Sequence, residues 1–161
     1  MAAPLNPLSL VEWIEANLDS FQPPVANRVV WPGSELIFMV VRGPNARNDF
    51  HIDPGDEIFY QLVGTIQVDV RHPDGTVEPH LVHEGELFLV PAGVPHSPLR
   101  PADTWGVVIE RQRRPDELDQ ILWYCPNGHP VNAHSFALAD IETELRVILE
   151  DFNGSVERRT C

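Results

Sequence analysis

Cysteine is scarce in this chain. Cys125 and Cys161 are the two present, too few for a disulfide framework, and such usage suits a reducing compartment. Basic residues are also thin: 11 Lys and Arg stand against 24 Asp and Glu, a net charge of −13. No Lys/Arg cluster is long enough to follow a phosphate backbone, so nucleic acid is not an expected partner. No apolar stretch reaches bilayer length. The start, Met1-Ala2-Ala3-Pro4-Leu5, lacks the basic opening and apolar run of a signal peptide. The expectation is a soluble, cytoplasmic chain with no membrane contact. Internal repeats and low-complexity tracts are missing too, and 161 residues fit one domain with a real core.

Among the features that are present, residues 8–18 carry apolar positions at helical spacing and predict a short amphipathic helix ending before Pro23-Pro24. From residue 28 to residue 110 the texture changes to short runs rich in Val, Ile, Phe and Leu, at residues 35–41, 57–62, 65–70, 86–90 and 106–110. Gly and Pro break these runs, which indicates an all-β sandwich or small barrel. Pro73-Asp74-Gly75 reads as a hairpin turn. Beyond residue 110 the pattern predicts helical pieces at residues 117–123 and 140–152, separated by a Pro/Gly break at residues 125–130. Sixteen prolines argue against a helical bundle.

Two histidines and a glutamate are spaced to hold one metal ion. His51 and Glu57 bracket the start of one strand, and His96 follows the turn Pro91-Ala92-Gly93 at the entry of another. Two imidazoles and one carboxylate suit ferrous iron and leave positions open for substrate and oxygen. Ligands from separate strands can converge in a barrel mouth, where small-molecule sites commonly form. A lone histidine is more often an ordinary core or surface residue, but two segments with matching internal spacing reinforce each other. His72, His80, His83, His129 and His134 have no such framing and read as surface or loop residues.

Both segments resemble the paired cupin motifs. His51-x-Asp53, Glu57 and Gly64 keep the spacing of the first, with Asp53 where a second histidine usually stands. Gly85, Pro91, Gly93 and His96 keep that of the second, with Arg100 in its last place. Losing one imidazole turns a four-ligand site into a three-ligand site and frees more of the metal for a bidentate substrate plus oxygen. Asp53 is expected to stay off the metal, since a second carboxylate would cancel the ion's charge.

Longer strings narrow the resemblance. Pro23-Pro24-Val25-Ala26-Asn27-Arg28, Gly43 through His51, Glu57 through Leu62, Pro95-His96-Ser97-Pro98 and Val108 through Gln112 are similar to the 3-hydroxyanthranilate 3,4-dioxygenase family, across most of the chain. The resemblance implies a single cupin (jelly-roll) β-barrel, all-β, with short N- and C-terminal helices. It implies one domain over residues 1–161: an N-terminal helix and substrate-side loop at 1–27, a barrel core at 28–112 and a helical extension at 113–161. It implies Fe(II) held by His51, Glu57 and His96, with substrate-side residues Asn27, Arg47, Phe59, Arg100 and Glu110. Of these, Arg47 and Glu110 would serve catalysis. The implied partners are a small aromatic amino-hydroxy acid and O2, in the kynurenine route of tryptophan breakdown that leads to quinolinate and NAD, and the implied assembly is a homodimer.

The roles have a chemical rationale. A guanidinium fork at Arg100 suits a ring carboxylate. Glu110 is placed to accept or orient a released proton, Arg47 to stabilise anionic oxygen, and Phe59 to pack an aromatic face. Singly, Arg47, Arg100 and Glu110 would read as rim ion pairs, Asn27 as a turn cap and Phe59 as core.

One departure concerns a rubredoxin-like second iron, which bacterial relatives often build from two Cys-x-x-Cys pairs. Here each pair keeps one cysteine, Cys125 and Cys161, and two thiolates cannot supply four ligands. No second iron is expected, and a biosynthetic relative acting on a substituted substrate stays open. Other readings also stay open: a metal cupin of different activity, such as an isomerase or another aminophenol dioxygenase, or a non-catalytic cupin that binds a small acid. A sensor role is weakened by the lack of a DNA-binding segment, and a storage role by the presence of all three ligands.

Overall fold

The computed structural model describes residues 5–22, 25–45 and 47–161. Its chain opens with helix α1 (Leu10–Ala16), capped by the Ser9 hydroxyl accepting from the Glu12 amide. The Pro23-Pro24 stop expected after it lies outside the described residues. Among the described residues eleven strands follow: β1 (Ala26–Val29), β2 (Leu36–Arg42), β3 (Phe50–Ile52), β4 (Glu57–Val63), β5 (Ile66–Arg71), β6 (Val77–Val82), β7 (Leu87–Val90), β8 (His96–Leu99), β9 (Trp105–Arg111), β10 (Asp119–Tyr124) and β11 (Pro130–Phe136). Helix α2 (Glu144–Gly154) comes last. No helix among the described residues is long and apolar enough to cross a membrane.

The strands form two antiparallel sheets. One has the order β1-β2-β9-β4-β7 and the other β11-β10-β3-β8-β5-β6. Alternation along each strand decides which side chains meet between them. In the first sheet Ile37, Met39, Val41, Phe59, Val90 and Val108 point inward. They meet Ile66, Val68 and Val82 of the second sheet in the main core. On the outer face of the first sheet, α1 and the following turn cover Val40 with Phe21, Val30, Trp13 and Trp105. Pro73-Asp74-Gly75 joins β5 to β6 as expected, with Gly75 at φ 88° and the Asp74 carboxylate accepting from the Thr76 amide at 2.9 Å.

The C-terminal third differs from expectation. Residues 117–123, expected to be helical, give β10, which runs between β3 and β11. Its apolar residues alternate: Asp119, Ile121 and Trp123 are buried, while Gln120 is exposed and Leu122 and Tyr124 are only partly covered. In so short a run the adjacent pair Ile121-Leu122 also meets helical spacing, and pairing to β3 decides the outcome. The second expected helix is present as α2. Its Leu145, Leu149 and Phe152 pack on Val25, Ile121 and Trp123, with Trp123 and Phe152 stacked at 4.1 Å. Thus α2 closes the β10 end of the barrel.

Candidate metal centre and substrate cavity

His51 lies in β3 and His96 opens β8, and the two residues are direct cross-strand partners. Both imidazoles therefore leave the same face of one sheet. Glu57 opens β4 on the opposite sheet, beside Glu110 of β9 in the register. Sheet packing brings the carboxylate over the pair of rings, and the donor atoms of His51, Glu57 and His96 lie within 4.8 Å of one another. His96 Nε2 is 2.7 Å and His51 Nδ1 3.8 Å from Glu57 Oε2.

The remaining ring nitrogens are held from behind. His96 Nδ1 lies 3.0 Å from the Val94 carbonyl and His51 Nε2 2.8 Å from Asp119 Oδ1. Such outer contacts fix which nitrogen is left for a metal. Phe59 meets the His96 ring edge-on, with centroids 5.8 Å apart.

The donor set fits a cation. Glu57 Oε2 and His96 Nε2 are buried, and neither has a hydrogen-bond partner of acceptable direction, an arrangement that costs free energy unless something else satisfies both. Around them, buried carboxyl groups of Asp49, Asp53, Glu57, Glu110 and Asp119 outnumber the guanidiniums of Arg47, Arg100 and Arg113. Burial raises the Glu57 pKa, but His96, His51 and Arg47 outweigh it and hold the carboxyl at about 2. Burial and the nearby carboxyl groups of Glu57 and Asp53 push Glu110 well above the ordinary range.

A cavity opens onto this centre. Asn27, Arg47, His51, Glu57, Phe59 and Arg100 all line it. Opposite them, Phe136, Leu138, Ile141 and Leu145 from β11 to α2 form an apolar wall. Arg47 is held in place by Asp49, through contacts of 3.1 and 2.5 Å. Arg100 is different: it is 4% exposed, yet among the described residues no carboxylate lies within ion-pairing distance. Among the described residues its one side-chain hydrogen bond is to Gln61 Oε1 at 3.4 Å, and burial lowers its pKa to about 10. Gly106 makes the room, since a Cβ there would meet Arg100 Nη1 at 2.8 Å.

Several expectations need adjusting. Glu110 does not line the cavity but lies beside Glu57 with Arg113 Nη2 at 3.2 Å. Asn27 donates to the Ile141 carbonyl at 3.4 Å, so it ties the apolar wall to β1 instead of capping a turn. Asp53, expected to stay off the metal, accepts from the Gly55 amide at 2.6 Å and pairs with Arg113 at 2.9 Å, and it groups with Glu57 and Glu110 within 4.8 Å. His129, expected to be an ordinary loop residue, sits 3.4 Å from Cys161 Sγ and groups with Cys125. Two participants escaped the sequence reading: Asp119, hidden by the helical reading of β10, and Arg113, which no motif frames.

Comparison with known proteins gives the fold and the family. The solved cupin-2 domain protein of Shewanella frigidimarina is 21% identical and matches with a TM-score of 0.50 over 61% of this chain and 91% of that one. A cupin superfamily protein of Desulfitobacterium hafniense matches at 14% identity and TM-score 0.50, over 68% and 93%. These establish a cupin fold. Curated 3-hydroxyanthranilate 3,4-dioxygenases are much nearer in sequence. That of Bacillus cereus is 42% identical over 100% of this chain and 90% of its own length. Those of Yarrowia lipolytica (41%; 97% and 92%) and Xanthomonas campestris (42%; 96% and 88%) are comparable. A family model described as 3-hydroxyanthranilic acid dioxygenase matches residues 2–153. With agreement extending over nearly the whole chain, this protein belongs to the 3-hydroxyanthranilic acid dioxygenase family.

Proposed function

We propose that the protein is an Fe(II)-dependent dioxygenase that opens the ring of 3-hydroxyanthranilate, or a substituted analogue, to a 2-amino-3-carboxymuconate semialdehyde. The observation that carries this reading is Arg100, a buried guanidinium with no carboxylate partner among the described residues, placed on the cavity that also exposes His51 and Glu57. A buried cation without a counter-ion is costly, and a ligand carboxylate relieves that cost through a charge-assisted fork. An aromatic acid anchored there lays its ring between Phe59 and the apolar wall of Leu138 and Ile141. His51, Glu57 and His96 would hold the iron, which supplies oxygen activation and a docking point for the hydroxyl and amine.

The remaining residues set the environment for that chemistry. Arg47, fixed by Asp49, presents positive charge to oxygen anions in the cavity. Glu110 lies beside Glu57 in the register with Arg113 Nη2 at 3.2 Å, a carboxyl placed to orient the proton released when the substrate hydroxyl binds. Rubredoxin-type iron needs four thiolates, whereas Cys125, His129 and Cys161 offer two thiols and an imidazole. One iron per chain follows, in a homodimer located in the cytoplasm.

The test is anaerobic Fe(II) loading followed by 3-hydroxyanthranilate and air. The expected outcome is the absorbance band of the semialdehyde from protein that holds one iron per chain. Bound iron without ring opening would overturn the assignment, and a red rubredoxin-type absorbance would overturn the single-iron reading.

A further inference from the structure

Arg113 stands outside the cavity, and its side chain is 4% exposed. Its Nε and Nη2 bind both oxygens of Asp119 at 2.7 Å, while Nη2 also lies 2.9 Å from Asp53 and 3.2 Å from Glu110. Nη1 donates to the Arg111 carbonyl at 2.8 Å, which uses every face of the guanidinium. Asp119 in turn accepts from His51 Nε2 at 2.8 Å. One cation therefore touches three buried carboxyl groups. One of them holds an imidazole of the metal centre, and another lies beside Glu57.

We propose that Arg113 is a positioning residue that keeps the His51 ring and the Glu110 carboxyl in fixed relation, through Asp119 to His51 and directly to Glu110. The planar fork explains the residue type. Lysine has a point charge that cannot hold both Asp119 oxygens while reaching Glu110 and Asp53. Asp119, pinned by the fork, accepts the Nε2 proton of His51 and leaves Nδ1 for the metal. Without Arg113, three buried carboxyl groups lose their shared counter-ion, and Asp119 becomes free to turn from the ring. The part concerning Glu110 rests on the dioxygenase reading; the part concerning His51 rests on the donor geometry alone.

Two variants test this. Asp119→Asn is nearly isosteric and keeps an acceptor for His51 while losing the charge that Arg113 grips. Arg113→Lys keeps the charge and removes the fork. Anaerobic Co(II) titration against a competing chelator should show about 10- to 100-fold weaker binding for Arg113→Lys, with a smaller loss for Asp119→Asn. Long-range ¹⁵N spectra of the metal-free protein should show His51 protonated at Nε2 in the wild type and a mixture of tautomers in Arg113→Lys. In the loaded enzyme, kcat should fall while KM holds, because Arg100 is untouched.

If Arg113→Lys does not fold, Asp119→Asn carries the same two readouts. Wild-type Co(II) affinity and an unaltered His51 tautomer in a folded variant would overturn the proposal and leave Arg113 a structural ion pair. A wild-type protein that fails to open the ring would refute the dioxygenase reading, while the titration would still judge Arg113.

Discussion

At the scale of single residues, Arg100 and His96 carry the sharpest expectations. A charge-assisted fork contributes about 1.5–3 kcal/mol, so Arg100→Ala should raise KM for the ring acid by roughly ten- to a hundred-fold. 2-Aminophenol, which lacks the carboxylate, should be a poor substrate for the wild type and indifferent to the change. Equal turnover of both compounds by the wild type would refute the role of Arg100. His96 links the metal to pH. Burial works against its charged form, but Glu57 outweighs burial and raises the imidazole above its ordinary 6.5. In metal-free protein that contribution to stability is complete below about pH 6.5 and is lost as pH rises through the folded value. Metal needs the neutral ring. The gap in Tm between metal-free and Co(II)-loaded protein should therefore widen from about pH 6 to pH 8.5, and a constant gap would remove His96 from the ligand set.

At the scale of elements, α2 is the piece that turns an open barrel end into an apolar cavity wall. Leu149 is wholly buried against Trp123 and Ile121, so Leu149→Ala should cost about 2–5 kcal/mol. Because Leu145 of the same helix lines the cavity, KM should rise as well. Chemical denaturation and steady-state kinetics on one preparation check both effects, and a drop in stability with unchanged KM would separate the wall from binding.

The readability of elements in the sequence follows how local their signal is. Strands β2, β4, β5, β7 and β9 lie within one or two residues of the expected runs, because alternation and Gly/Pro breaks are visible over a few residues. His51, Glu57 and His96 were legible because their spacing within two motifs is local too. Strand β10 was not, since its apolar pair fits either period and only pairing with β3 separates them. Asp119 and Arg113 were lost with it: their significance comes from contacts with His51 and Glu110 that no local pattern encodes.

At the scale of the whole molecule, an apolar outer face remains. Leu87 and Leu89 of edge strand β7, with Tyr60 beside them on β4, are exposed on the side of the first sheet away from the cavity. This supports the homodimer proposed above. Light scattering should give twice the 18.1 kDa chain mass, and Leu89→Glu should return it to the single-chain value; a wild-type monomer would refute the dimer. The division of the proposed metal donors between the two sheets has a further consequence for motion. An ion held by β3 and β8 on one side and β4 on the other acts as a rivet, so neither sheet can open there alone. Amide hydrogen exchange in those three strands should slow together on metal loading, by a common factor set by the ion's affinity. Strands β6 and β11, at the two free edges of the second sheet, should keep the exchange rates of the metal-free chain.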